Sequence, residues 1–191
     1  MMKHFSLLAG FFLICSMLID MPSSAQSQLT DQITLYVVRH AEKDTGNNPI
    51  LSTKGRQRAG DLYWVLQQRP VDLILVSQYR RTGMTGDSVR IYRNIEMLPY
   101  KADANGDDLF NLIASLNGKY HHILVIGHSN TVPVIVRRAG ASDYLVPELP
   151  DSDYDNLFTI TAKDGKISWK LEKFGVPSTS KKEEIQMNIL Q

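Results

Sequence analysis

The sequence predicts an α/β sandwich, three layers deep (α/β/α), built on a mostly parallel central sheet. Two observations predict it. Short apolar, β-branched runs alternate along the chain with segments of helix length, the pattern of helices packed on the faces of a sheet. Polar residues also recur where those runs stop. Arg39-His40 follows Ile33-Thr34-Leu35-Tyr36-Val37-Val38, Ser77 follows Val71-Asp72-Leu73-Ile74-Leu75-Val76, and His128 closes His122-Ile123-Leu124-Val125-Ile126-Gly127. Ligands of parallel sheets bind beyond the carboxyl ends of the strands, so these residues are expected to meet on one edge.

The chain opens with a segment that reads as a secretory signal peptide, residues 1–25. Lys3 and His4 form a short basic start, Phe5 to Ile19 is an almost uninterrupted apolar run, and Ser23 and Ala25 are small residues placed for a cut before Gln26. A membrane span needs about 20 apolar residues, so cleavage is expected rather than a retained anchor. The mature chain is then expected in the periplasm or outside the cell, without a stable membrane span. Cleavage also removes Cys15, the single cysteine, and with it any disulfide or thiol chemistry. A formal net charge of +1 argues against a general nucleic-acid binder.

One domain is expected over residues 26–172. Leu35–Val38 is its first confident strand, and 44–49 is a loop by its turn residues. Ser52 is placed to N-cap a helix running to about Gln67. The second strand covers 71–76. Thr82 to Tyr92 reads as a helix softened by Gly83 and Gly86, about 1 kcal/mol each. Residues 103–107 form a loop into a helix from Leu109 to Leu116, ended by Asn117-Gly118. After the strand 122–126, Thr131 opens a helix with Pro133 in its first turn, where proline is tolerated. Leu157–Thr161 and Lys166–Leu171 flank Asp164-Gly165, a hairpin signal. Residues 173–191 are polar and rich in lysine and glutamate, and a flexible tail is expected there.

The strand-end residues suit phosphoryl chemistry. An arginine's planar fork binds phosphate oxygens in bidentate fashion, and a neutral imidazole can attack phosphorus and carry the group covalently. A zinc site from His121, His122 and His128 is not expected, because the strand between them separates its ends by about 20 Å at normal rise.

Four motifs carry a resemblance: Arg39-His40-Ala41-Glu42; Leu51-Ser52 with Gly55 and Arg58-Ala59; Ser77 followed by Arg81-Thr82 and Thr85; and Gly127-His128-Ser129. Together they resemble, in order and spacing, the histidine phosphatase superfamily, which includes the phosphoglycerate mutases and small phosphohistidine phosphatases. The Arg39-His40-Ala41-Glu42-Lys43 version is similar to a small exported bacterial subgroup. The resemblance implies a phosphoglycerate mutase-like fold and a metal-independent, cofactor-free phosphomonoester phosphatase. Its implied nucleophile is His40, phosphorylated in the intermediate, with the near ring N–H held by a backbone carbonyl or similar acceptor. Arg39, Arg81 and His128 would bind the phosphoryl group, and the partner would be a small-molecule or envelope-linked phosphomonoester. The alternatives are a phosphate-binding module without turnover and a phosphoglycerate mutase-type phosphotransferase. A proton donor is expected between Arg81 and His128, with Asp103 first and Glu96 second.

Overall fold

The computed structural model describes residues 28–178. The expected signal segment, residues 1–25, and the chain from 179 onward lie outside the described residues. Ten elements follow in order: β1 (Ile33–Arg39), α1 (Thr53–Leu66), β2 (Leu73–Ser77), α2 (Arg80–Arg93), β3 (Glu96–Tyr100), α3 (Asp107–Ser115), β4 (His122–Gly127), α4 (Val132–Arg138), β5 (Asn156–Lys163) and β6 (Lys166–Lys173). The strands form one sheet in the order β3-β2-β4-β1-β5-β6. Pairings β2–β3, β2–β4 and β1–β4 are parallel, while β5 runs antiparallel to β1 and to β6.

Side chains alternate across a strand, and here the alternation builds two cores. Leu35, Val37, Leu73, Leu75 and Val125 face one way, onto Leu109, Ile113, Val132 and Val136 of α3 and α4. Tyr36, Val38, Ile74, Leu124 and Ile126 face the other way, onto Leu62, Leu66 and Val89 of α1 and α2. The expected three-layer sandwich is therefore the fold. Both faces of the central strands are covered, which is why they read as continuous apolar runs.

Local signals behave as expected at several points. The Ser52 side chain accepts from Gly55 N at 3.1 Å and caps α1. Asp164 and Gly165 both take positive φ, +52° and +69°, as a two-residue hairpin turn with right-handed twist requires. Gly86 carries a different meaning from the expected softness. A Cβ there would lie 2.7 Å from Met97 Cε and 3.0 Å from Ile126 Cδ1, so glycine lets α2 sit close on the sheet.

Two expectations are corrected. No strand is expected between Tyr92 and Asp103, yet β3 forms at Glu96–Tyr100 and carries Pro99. Proline is tolerated because β3 is the edge of the sheet, where one side of the backbone needs no ladder partner. The tail does not begin at 173 either. Lys173 ends β6, Phe174 is only 5% exposed in the α1–α2 core, and Phe174 N donates to Asp155 O at 2.9 Å. Ser178 N donates to Asp155 Oδ2 at 2.8 Å. A single aromatic with a buried slot outweighs the polar composition around it.

Candidate active site

The adjacent parallel strands β2, β4 and β1 end side by side, and they deliver the site. Arg39 is in register with Gly127, and His40 N donates to Gly127 O at 2.9 Å. His40 and His128 are thereby brought edge to face, with ring centroids 5.3 Å apart. Arg81, in the first turn of α2, follows β2. Arg39, His40, Arg81 and His128 line one cavity of about 430 Å³, joined at its mouth by Lys43, Tyr79, Asp103, Asn130 and Asp151.

His40 is 3% exposed. Its Nδ1 lies 2.8 Å from Ala41 O. A carbonyl only accepts, so Nδ1 carries the proton and Nε2 keeps its lone pair. Burial is the main force on its titration and lowers the pKa from 6.5 to about 3; the Ala41 bond opposes this, while His128, Arg81 and Arg39 add to it. His128 is lowered to about 4, first by burial, then by Arg81 and Arg39. Both rings are neutral at physiological pH, as a nitrogen nucleophile requires.

The sign of the resulting pH dependence is definite. Both folded pKa values lie below the ordinary 6.5, so the unfolded chain binds more protons from about pH 6.5 down to about 3. Stability is complete above that window and falls as pH falls through it. In a histidine NMR titration, the His40 and His128 ring signals should hold their neutral positions from pH 8 to 5. Movement of either with a midpoint near 6.5 would contradict the burial argument.

Arg39 is buried and Arg81 partly buried, and among the described residues the one carboxylate paired with either is Asp151, a loose 3.9 Å from Arg39. Arg39, 5% exposed, gives Nη1 to the carbonyls of Pro150, Asp151 and Asp153 at 2.7, 3.1 and 3.3 Å and stacks on Tyr154, 4.1 Å from the ring centre. Arg81 stacks on Tyr79 at 4.4 Å and donates from Nη2 to His128 Nδ1 at 3.2 Å. The Nε of each guanidinium is buried without a hydrogen-bond partner. Buried donors are normally paired; two arginines that line one cavity, each with an unpartnered donor, leave positive charge there for an anion to balance.

The structure refines His128. Its Nδ1 accepts from Arg81, so its Nε2 carries the proton and donates to Ser77 Oγ at 2.8 Å. For His128 to donate to a phosphoryl oxygen, Arg81 must turn from Nδ1 to the phosphoryl group and Nδ1 must gain a proton. A dianion between the two arginines favours that charged form.

Beneath the site lies an ion pair whose role the sequence did not disclose. Arg58 Nε donates to both Glu42 oxygens at 3.0 and 2.9 Å, and Nη2 to Oε1 at 2.7 Å. Burial alone would raise the Glu42 carboxyl; the Arg58 hydrogen bonds outweigh it and hold it below the usual carboxylate range. Gly55 makes room for the same backbone, since a Cβ there would lie 1.9 Å from Glu42 O. Gly55→Ala should therefore destabilise by about 1–3 kcal/mol, although alanine favours helix by about 1 kcal/mol. A chemical denaturation midpoint at or above wild type would contradict this.

The expected proton donors are not arranged as donors. Asp103 lines the cavity, but it accepts from the backbone N–H of Asn105, Asp107 and Asp108 at 2.8, 3.0 and 3.0 Å. Burial tends to raise its carboxyl slightly, and those backbone bonds reverse this and hold it low. It caps α3. Glu96 begins β3, at the opposite end of the sheet from Ser77, and accepts from Tyr120 OH. Tyr79, Tyr154 and Asp151 were not foreseen; the last two sit in the irregular segment after α4, which carries no periodic signal.

No protein-family model matches the sequence, and no curated protein matches it. Solved structures match it in shape. SixA of Agrobacterium tumefaciens, provisionally assigned as a phosphohistidine phosphatase, is 22% identical, covering 76% of this chain and 99% of its own, with a TM-score of 0.57. The α-ribazole phosphatase of Shigella flexneri is 15% identical, covering 76% and 100%, at 0.56. A mycobacterial glucosyl-3-phosphoglycerate phosphatase is 13% identical, covering 76% and 99%, at 0.53. At these identities the likeness shows the fold, which is phosphoglycerate mutase-like.

Proposed function

We propose that the chain is an exported phosphomonoester phosphatase of the histidine phosphatase superfamily, working through a phosphohistidine at His40. One observation carries the reading: His40, with Nε2 unprotonated, lines one cavity with two arginines whose buried Nε donors lack acceptors. Arg39 and Arg81 hold the phosphoryl oxygens and stabilise charge as it builds on them. The His40 Nε2 lone pair forms the N–P bond as the ester P–O bond breaks. Water then attacks phosphorus, the N–P bond breaks, and phosphate leaves. The arginines do the charge work, so no metal is needed in this scheme. Solved phosphatases of the same fold agree with the reaction class. Export rests on the 1–25 signal, and it favours a periplasmic or secreted enzyme over a mutase of phosphorylated metabolites.

The test is turnover of p-nitrophenyl phosphate by the mature protein, with and without chelator, from pH 4 to 8 (roughly the range of carboxyl and histidine titration). Hydrolysis that survives chelator is the expected result. Inorganic phosphate binding with no turnover at any pH would replace this reading with that of a phosphate-binding module. The capping role of Asp103 is the observation that favours that second reading.

A further inference from the structure

Among the described residues, two carboxylates line the His40 cavity, Asp103 and Asp151. Asp103 is occupied in capping α3. The Asp151 side chain is fully exposed, and its ion pair is a loose one, 3.9 Å from Arg39 Nη2. We propose that Asp151 is a further catalytic residue, the acid that protonates the departing oxygen of the substrate. The proposal rests on the phosphatase reading and supplies its missing proton.

The argument is one of anchoring. Arg39 Nη1 holds the segment by donating to the carbonyls of Pro150, Asp151 and Asp153. Its Nε is buried without a partner, and the arginine itself lines the cavity. One cavity-lining guanidinium thus fixes the backbone that carries Asp151, and Asp151 lines the same cavity as His40.

The step balances. The His40 Nε2 lone pair forms the N–P bond, the P–O bond breaks with its electrons on the leaving oxygen, and the Asp151 proton passes to that oxygen. The carboxylate then takes a proton from the water that attacks phosphohistidine. The N–P bond breaks, phosphate is released, and the acid is restored.

Asp151→Asn is to be compared with wild type on p-nitrophenyl phosphate and on an alkyl phosphate such as glycerol 3-phosphate, with Asp103→Asn alongside. A phenolate leaves with little help; an alkoxide does not. Asp151→Asn should lower kcat/KM on the alkyl ester by about 10²-fold or more, the usual scale of general acid catalysis, and change the aryl ester by no more than about 3-fold, since little proton transfer is needed there. Asp103→Asn should lower thermal stability without such selectivity. Equal losses on both esters, no loss on the alkyl ester, selective loss in Asp103→Asn instead, or a wild type that turns over only the aryl ester would each overturn the assignment. A wild type inactive even on the aryl ester would instead bring down the phosphatase reading beneath it.

Discussion

Replacing His40 with glutamine is expected to lower kcat/KM for p-nitrophenyl phosphate by on the order of 10³-fold or more. The substitution removes the nitrogen that forms the N–P bond, and no neighbour can take over. His128 Nδ1 is engaged by Arg81 and its Nε2 by Ser77. Phosphate affinity should change far less, because Arg39 and Arg81 remain. The diagnostic is the acid-labile phosphoryl group trapped during turnover: present on wild type, absent from the variant. Retained activity, or phosphate trapped on another side chain, would remove His40 from the reaction. Relief of a buried imidazole should also make the variant less sensitive to mild acid than wild type, since one fewer group takes up a proton on unfolding.

Replacing Arg58 with alanine is expected to cost about 3–5 kcal/mol of stability, the usual penalty for stripping a buried ion pair of one partner. Arg58 is 2% exposed, and beyond its three bonds to Glu42 it donates to Val176 O at 3.0 Å and Phe174 O at 3.4 Å. It therefore ties three things together: the backbone just after His40, helix α1, and the segment that follows β6. Lys54, 3.7 Å from Glu42 but exposed, cannot replace it. For a chain of this size such a loss lowers the melting temperature by on the order of 10 °C. Arg58→Lys should recover little, because one ammonium cannot match a bidentate fork. The double change Glu42→Gln, Arg58→Met should be less destabilised than Arg58→Ala, since no uncompensated charge is then buried. Urea midpoints with unchanged slope would measure all three; a loss under about 1 kcal/mol in Arg58→Ala would show that Glu42 is solvated rather than paired.

Much of this architecture is legible in the chain. Runs such as Leu73–Val76 and Ile123–Ile126 are apolar at every position because both faces of those strands are covered. The Asp164-Gly165 turn follows from residues that tolerate positive φ. Ser52 announces the start of α1 because capping is a local interaction. What failed was non-local. β3 was not expected; it carries Pro99, whose tolerance depends on being at a sheet edge. Phe174 was read with its polar neighbours, although its slot lies between α1 and the sheet.

The candidate site divides along the same line. The sequence by itself determined which strand ends carry Arg39, His40, Ser77 and His128, because strand period and turn residues are properties of neighbouring positions. It also determined that parallel strands would gather them at one edge. Only the tertiary structure decided what those groups do to one another. The tautomer of His40, the orphaned Nε of Arg39 and Arg81, the commitment of Asp103 to a helix cap and the placement of Asp151 on the Arg39 anchor all depend on distances between segments far apart in sequence. Hydrogen bonding and desolvation act over a few ångströms of space, and sequence order does not carry that information.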